Sequence, residues 1–129
     1  RHCQNGEKVA RYLAAHPRID KVYWPGFESH PNHDIAKEQM KGFGGMISFT
    51  FHEDDMQHSF RVMEKFKLFA LAESLGGVES MVNHPATMTH GAVPKEERMK
   101  VGLLDSLIRL SVGIENIEDL IEDLKQAIG

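Results

Sequence analysis

The stretch LIRLSVG, from Leu107 to Gly113, places one arginine in the middle of an otherwise apolar run. A short apolar run that ends at a glycine is typical of a buried β-strand. Burying a guanidinium without an anionic partner costs free energy, so Arg109 is expected to face a carboxylate or a phosphate. The sequence therefore predicts a strand over Leu107–Val112 that carries a cationic binding residue.

A second segment, Glu73–Gly77, supplies an acid, a hydroxyl and two glycines directly after the β-prone run Lys67–Leu71. Glycine pairs allow backbone amides to approach a ligand closely. Together with Arg109, this segment predicts a site that binds a small acid. From the residues alone a second interpretation stays open, because an ion pair with Glu73 or Glu115 would also satisfy the arginine.

The composition is that of an ordinary globular protein. The chain has 129 residues, of which 41% are hydrophobic and 26% charged, and its formal net charge is −4. Its basic residues are scattered, which argues against a nucleic acid or an anionic membrane as partner. No apolar stretch approaches the roughly 20 residues that span a bilayer. The single Cys3 excludes an internal disulfide, and a free thiol fits a reducing, cytoplasmic compartment.

The first residues predict that the chain is a piece of a longer protein. It begins Arg1-His2-Cys3 without an initiator methionine or a signal peptide, and the helical pattern has already started there. A complete domain produced by processing is the alternative.

Apolar periodicity predicts strands interleaved with helices. Strands are expected at Val22–Trp24, Met46–Phe51, Leu68–Leu71 and Leu107–Val112. Helices are expected at Asn5–Ala15, Asn32–Met40, Met56–Phe66, Pro94–Arg98 and Ile117–Ile128, the third capped by Asp54 or Asp55 and the last by Asn116. The expected fold class is α/β of the α+β type, a small, mostly antiparallel four-stranded sheet covered by helices on one face. The long polar stretch Gly76–Gly102 is expected to be functional or poorly ordered.

Several motifs, in a fixed order, resemble one known family. They are AESLGGVES at 72–80, HPA and MTH within 84–90, and RLSVGIE at 109–115, preceded by YWPG at 23–26, SHP at 29–31 and GFGGM at 42–46. In this order and spacing they resemble the cystathionine γ-synthase/γ-lyase family, pyridoxal-phosphate enzymes of methionine and cysteine metabolism. The resemblance runs from about Asn5 to Ile128.

This resemblance implies that residues 1–129 are a single C-terminal domain of a fold-type I enzyme that binds pyridoxal 5'-phosphate. The large cofactor-binding domain of the same subunit, with its Schiff-base lysine, would lie outside the chain. The chain alone is therefore expected to be inactive and to bind no cofactor. The full-length enzyme is expected to be a cytoplasmic homotetramer that performs γ-replacement or γ-elimination on a homoserine ester or cystathionine. The alternative is a non-catalytic small-molecule-binding or regulatory module on the same fold.

The resemblance also implies a role for four residues of this chain. Arg109 would bind the substrate α-carboxylate through a two-pronged ion pair. Ser74 would touch that carboxylate and, indirectly, the cofactor through the reactive lysine. Glu73 would select among substrates, since glutamate at this place resembles the γ-synthases and γ-lyases. Thr89 would line the same cleft. From the residues alone, the alternatives are a turn-forming serine for Ser74 and a solvated or salt-bridged acid for Glu73.

Two histidine pairs have a spacing that is compatible with a metal site. They are His30 with His33 and His84 with His90, and no cysteine accompanies either pair. His30 and His33 stand at a turn before a helix, where a surface cap is expected, and no metal is expected at either pair.

Overall fold

The computed structural model describes all residues from 1 to 129. Its helices are α1 (His2–Ala14), α2 (His33–Gln39), α3 (Met56–Met63), α4 (Lys95–Lys100) and α5 (Ile117–Ile128). Its strands are β1 (Ile19–Tyr23), β2 (Met46–Phe51), β3 (Ala70–Leu71), β4 (Met81–Asn83) and β5 (Ile108–Ser111). The predicted α+β class is confirmed. None of these helices is long and apolar enough to cross a membrane.

The strands form one sheet in the order β1-β2-β5-β4-β3. Every neighbouring pair is antiparallel except β3 and β4, which are parallel. The mostly antiparallel sheet is thus confirmed, but it has five strands instead of the four expected. The additional strand is β4, which lies inside the polar stretch 76–102. Three residues are too few to show a period of two, so local sequence does not reveal this strand.

Alternation along the strands gives the sheet an apolar and a polar face. On β2 and β5, Ile47, Phe49, Ile108 and Leu110 are at most 1% exposed and belong to one apolar core. The helices α1, α3 and α5 contribute to the same core, which confirms that helices cover one face. Their buried core residues are Val9, Ala10, Leu13, Val62, Met63, Leu120, Leu124, Ala127 and Ile128.

The buried face of α3 differs from the predicted stripe. The predicted helix runs to Phe66, whereas α3 ends at Met63 and buries Ser59, Val62 and Met63. Ser59 lies on the buried face, where an apolar residue is expected. Its hydroxyl donates a hydrogen bond to the Ser106 carbonyl at 3.1 Å. A buried hydroxyl is tolerated when it is hydrogen-bonded in this way.

Two predicted helix caps are confirmed. The side chain of Asp55 accepts the backbone N–H of Gln57 at 2.9 Å, and that of Asn116 accepts the N–H of Glu118 at 2.8 Å. Pro94 is the N-cap of α4 and not its first helical residue. These caps fix the starts of α3 and α5, the helices that cover the sheet.

Asp123 on α5 anchors the segment that leads into β3. Its carboxylate accepts the backbone N–H groups of Lys67, Leu68 and Phe69 at 2.9, 2.8 and 3.1 Å. The residue is only 4% exposed. One buried carboxylate therefore satisfies three backbone donors that local structure leaves unpaired.

Replacing Asp123 with alanine should lower the free energy of unfolding by about 3 kcal/mol, because it leaves backbone donors unsatisfied. Asp123→Asn keeps one acceptor oxygen and should cost less. Chemical denaturation of each variant measures the difference. Glu122→Ala is the matched control on the same helix, since Glu122 makes only an exposed contact with Lys125 and should matter little. Equal losses for Asp123→Ala and Glu122→Ala would contradict the anchoring role.

Candidate functional site

Four polar residues form a continuous row across the polar face of the sheet. The strand register places Tyr23 opposite Ser48, Ser48 opposite Arg109, and Arg109 opposite Asn83. Residues directly opposite in antiparallel strands project from the same face. This face is the one turned away from α1, α3 and α5. We call these four residues the polar row, and Arg109 is one of its two central members.

Arg109 is a cation without an anionic partner in this chain. The residue is partly buried, although the apolar residues beside it in the sequence suggest full burial. Its guanidinium takes part in none of the ion pairs of the chain and makes no side-chain hydrogen bond. The alternative ion pair with Glu73 or Glu115 does not form. Arg109 is therefore free to bind an anion.

Glu115 is occupied elsewhere, which explains why it does not reach the arginine. Its carboxylate accepts the backbone N–H of Ser80 at 2.6 Å and the Ser80 hydroxyl at 2.8 Å. The Ser80 hydroxyl oxygen in turn accepts the N–H of Gly113 at 2.8 Å. A Cβ at Gly113 would overlap the Val78 carbonyl oxygen, so only glycine fits there. These contacts fix the turn that follows β5.

The segment 73–75 crosses the polar face beside the polar row. At one end, the N–H of Ala72 donates to the Val82 carbonyl at 3.1 Å, which continues the pairing of β3 with β4. At the other end, the N–H of Gly76 donates to the Ser111 hydroxyl oxygen at 2.8 Å. Because β4 lies between β3 and β5 in the sheet, residues 73–75 must pass over β4. The structure therefore brings Glu73 and Ser74 to the face that carries the arginine.

Gly76, the first of the two glycines, acts differently from the sequence-based expectation. Gly76 has a φ of 77°, a left-handed conformation that favours glycine and that turns the segment back towards β5. Its amide is not open to a ligand, because the Ser111 hydroxyl accepts it. Gly76 therefore shapes the segment, and the exposed side chains of Glu73 and Ser74 are what the segment presents to solvent.

Thr89 is not joined to the other predicted site residues. It is exposed in the segment that follows β4, and its hydroxyl is hydrogen-bonded to His90 Nδ1 at 2.8 Å. No hydrogen bond connects it with the polar row or with residues 73–75. Its place in the cleft stays a prediction.

A buried cluster holds the segment that leads into β5. Arg98 Nη1 donates to Asp105 Oδ1 at 2.9 Å, and both side chains are about 10% exposed. The exposed Lys95 pairs with the second oxygen of Asp105. Hydrogen bonding to Lys95 lowers the pKa of Asp105, and the Arg98 hydrogen bond acts in the same direction. The cluster fixes the chain four residues before Arg109.

His84 is part of the same cluster and is fully buried. Its Nε2 donates to the Asp105 carbonyl at 2.6 Å, and its Nδ1 accepts the Thr87 hydroxyl at 2.9 Å, as expected for a neutral imidazole. Burial lowers the pKa of His84. Both ring nitrogens are engaged, and no group of three or more His, Cys, Asp and Glu side chains is arranged to hold a metal ion.

Sequence reasoning misses three residues of this region: Asn83, Ser111 and Ser80. Asn83 and Ser111 flank the site on β4 and β5, and their side chains are 2% and 4% exposed. Only the strand register shows that Asn83 shares a face with Arg109, whereas Ser111 follows from the period of two along β5. Ser80 and its partner Glu115 are 35 residues apart, so no local pattern links them.

Comparisons of the sequence with known proteins identify its family. The family described as Cys/Met metabolism PLP-dependent enzyme matches residues 1–129. The cystathionine beta-lyase of Coxiella burnetii is 53% identical over 128 residues, which are 99% of this chain and 33% of that protein. The cystathionine gamma-lyase of Dictyostelium discoideum is 52% identical over 127 residues, 98% of this chain and 33% of that protein. The L-methionine gamma-lyase of Fusobacterium nucleatum subsp. polymorphum is 50% identical over 128 residues, 99% of this chain and 32% of that protein.

The chain spans about a third of the length of these curated relatives and corresponds to their C-terminal part. The resemblance inferred from the ordered motifs is confirmed over the whole chain. The family matches all residues from 1 to 129, and relatives that are 50–53% identical cover at least 98% of the chain. The chain therefore belongs to the Cys/Met metabolism family of pyridoxal-phosphate-dependent enzymes.

Proposed function

We propose that the full-length protein uses pyridoxal phosphate to eliminate or replace the γ-substituent of cystathionine or a homoserine ester. Within it, this chain binds the α-carboxylate of the substrate. The observation that carries the proposal is Arg109, an unpaired cation on a sheet face that also presents an exposed serine and glutamate. An amino-acid substrate offers the anion that this cation lacks.

The guanidinium of Arg109 suits a carboxylate better than an ammonium group would. Its planar fork donates two parallel hydrogen bonds to the two carboxylate oxygens. Partial burial strengthens such a contact, because less water competes for the charges. The backbone of Arg109 is held between β2 and β4 in the sheet, so the Cα atom from which its side chain extends has a fixed position.

Ser74 lies in the segment that crosses the same face, with an exposed hydroxyl. We assign it a supporting contact to the carboxylate bound by Arg109. Its backbone is restrained on both sides, by the hydrogen bonds of Ala72 and Gly76. A hydroxyl on a restrained segment loses little conformational entropy when it binds a ligand.

Pyridoxal phosphate, when bound, withdraws electrons from the α-carbon of the amino acid and makes its bonds easier to break. Arg109 would contribute orientation, because an anchored carboxylate restricts how the α-carbon of the amino acid is placed in the site. Every lysine of this chain is exposed and none lies in the polar row. The residues present therefore fit the substrate and not the cofactor, whose reactive lysine we assign to the rest of the protein. We therefore expect the isolated chain to be inactive and to bind no cofactor.

Product analysis tests the proposed reaction. The full-length protein, purified with pyridoxal phosphate, is incubated with L-cystathionine, and the keto acid is identified by mass spectrometry. Cleavage at the γ-carbon releases cysteine, ammonia and 2-oxobutyrate, which is the expected result. Pyruvate with homocysteine would instead indicate cleavage at the β-carbon and overturn the γ-assignment. Following the family resemblance, we further propose that the full-length protein is a cytoplasmic homotetramer. Analytical ultracentrifugation measures the mass of the assembly directly.

Replacing Glu73 with valine should change substrate preference more than overall activity. Its carboxylate is exposed beside the proposed carboxylate site and has the wrong sign to bind the substrate carboxylate. It suits the distal ammonium group of a long substrate such as cystathionine. We expect the kcat/KM ratio of cystathionine to a short substrate such as methionine to fall about tenfold.

The exposed Glu79 offers a matched control within the same loop. Glu79→Val should leave the preference unchanged. A uniform loss of kcat/KM for both substrates in Glu73→Val would contradict a role in specificity.

A further inference from the structure

Asn83 carries a buried polar atom that nothing in the chain satisfies. The residue is 2% exposed, and its side-chain oxygen Oδ1 has no hydrogen-bond partner. Only two other buried side-chain atoms share this state, the hydroxyls of Thr50 and Ser106. Folded proteins rarely leave a buried acceptor unpaired, since its lost hydration is not compensated. An orphaned acceptor at a candidate site therefore points to a donor that arrives with the ligand or moves when it binds.

The donor that faces this acceptor is the guanidinium of Arg109. The two residues are direct partners in the register of β4 and β5. Their Cβ atoms are thus about 4.5–5.5 Å apart on one face. A guanidinium has five N–H donors, of which a carboxylate held by two prongs uses two. Three donors remain, and those that point away from the carboxylate are within reach of the neighbouring strand.

The orphaned acceptor that lies directly opposite the arginine is the one on β4. Ser48 flanks Arg109 on β2, and its hydroxyl is not among the buried unpartnered atoms. Thr50 carries an orphaned hydroxyl on the same face, but it lies two residues beyond Ser48 on β2 and is therefore diagonal to Arg109. Ser111, the next residue of β5 on this face, already accepts the N–H of Gly76. Asn83 is therefore the orphaned residue that pairs with Arg109 in the sheet register.

We propose that Asn83 is the positioning residue of Arg109. When the α-carboxylate of the substrate binds, a guanidinium N–H that faces β4 donates to Oδ1 of Asn83 and holds the fork towards the ligand. The inference rests on the proposed function, because it needs an anion bound to Arg109. It also explains why the acceptor stays unpaired in the free chain: the arginine turns to it only when its other donors are engaged by the carboxylate.

Replacing Asn83 with leucine tests this role, because leucine has the same number of side-chain heavy atoms, branched at Cγ, and no polar atom. In the full-length protein with pyridoxal phosphate, the Kd for L-alanine, an amino acid without a leaving group, should rise about tenfold in calorimetry. The KM for L-cystathionine should rise by a similar factor, with kcat within about twofold. The Tm of the cofactor-free protein should stay or rise, since an unsatisfied buried atom has been removed. A merely structural asparagine would instead lower the Tm.

Ser106→Ala is the matched control, since it also removes an orphaned buried oxygen but lies outside the polar row. It should leave the Kd for L-alanine unchanged. In an Arg109→Lys background, Asn83→Leu should have no further effect on this Kd, because the planar fork that it orients is gone. If Arg109→Lys leaves the Kd unchanged, the proposed carboxylate site itself is wrong. If Arg109→Lys raises the Kd but Asn83→Leu does not, or if the two effects simply add, the positioning role is overturned.

Discussion

Replacing Arg109 with alanine in the full-length protein is expected to lower kcat/KM by at least tenfold to a hundredfold. The guanidinium is partly buried, has no partner in the chain, and stands on the face that we assign to the substrate. A hydrogen bond to a charged group contributes about 1.5–3 kcal/mol, and each 1.4 kcal/mol corresponds to about a tenfold change in rate. Steady-state kinetics with L-cystathionine measures the loss.

The variant Arg109→Lys should recover only part of this loss, because an ammonium group lacks the planar fork. Part of the loss should appear in kcat, since the anchored carboxylate also orients the α-carbon. Arg11→Ala is a suitable control, as Arg11 makes only an exposed ion pair with Glu7 on α1. An unchanged kcat/KM in a folded Arg109→Ala protein would mean that the arginine has no role in substrate binding.

Replacing Asp105 with asparagine is expected to cost about 3–5 kcal/mol of folding free energy. The substitution leaves the guanidinium of Arg98, whose side chain is 10% exposed, without its counter-charge. Lys95 is exposed and returns to solvent at little cost. Chemical denaturation at pH 7 measures the difference. Glu7→Gln breaks a solvent-exposed pair and should cost under about 1 kcal/mol. Similar costs for the two variants would contradict a buried, structural ion pair.

The same cluster predicts how stability depends on pH. Hydrogen bonding to Lys95 lowers the pKa of Asp105 below its ordinary 3.8, so its contribution is complete above that pH and is lost as pH falls through the native pKa. Burial lowers the pKa of His84 below 6.5, so its contribution is likewise lost as pH falls below 6.5. The wild type should therefore lose stability as pH falls below 6.5 and again as pH falls through the native pKa of Asp105. Asp105→Asn should retain only the loss associated with His84.

The sequence predicts the elements with long, regular patterns well. Strand β2 has the bounds expected from its alternation, and β5 differs from its prediction by one residue at each end. The caps Asp55 and Asn116 are confirmed because a capping side chain and the amide it accepts are two residues apart. In each case the physical cause is local, so a window of the sequence contains it.

The parts that the sequence misses depend on distant partners. β4 is a strand because β5 and β3 supply hydrogen bonds on its two sides, not because its three residues prefer extended structure. The sequence alone therefore does not show that Asn83 is a neighbour of Arg109, because this depends on the register of β4 and β5. The apolar run around Arg109 predicts a buried strand but does not show which face of the sheet the helices cover. The partial exposure of the arginine therefore cannot be predicted from the sequence.

A crystal structure of the full-length protein with pyridoxal phosphate and L-alanine tests the central claim most directly. We expect both carboxylate oxygens of the ligand to lie about 3 Å from guanidinium nitrogens of Arg109, with the Ser74 hydroxyl beside them. A carboxylate bound to any other cation, with Arg109 still unpaired, would contradict the proposed site.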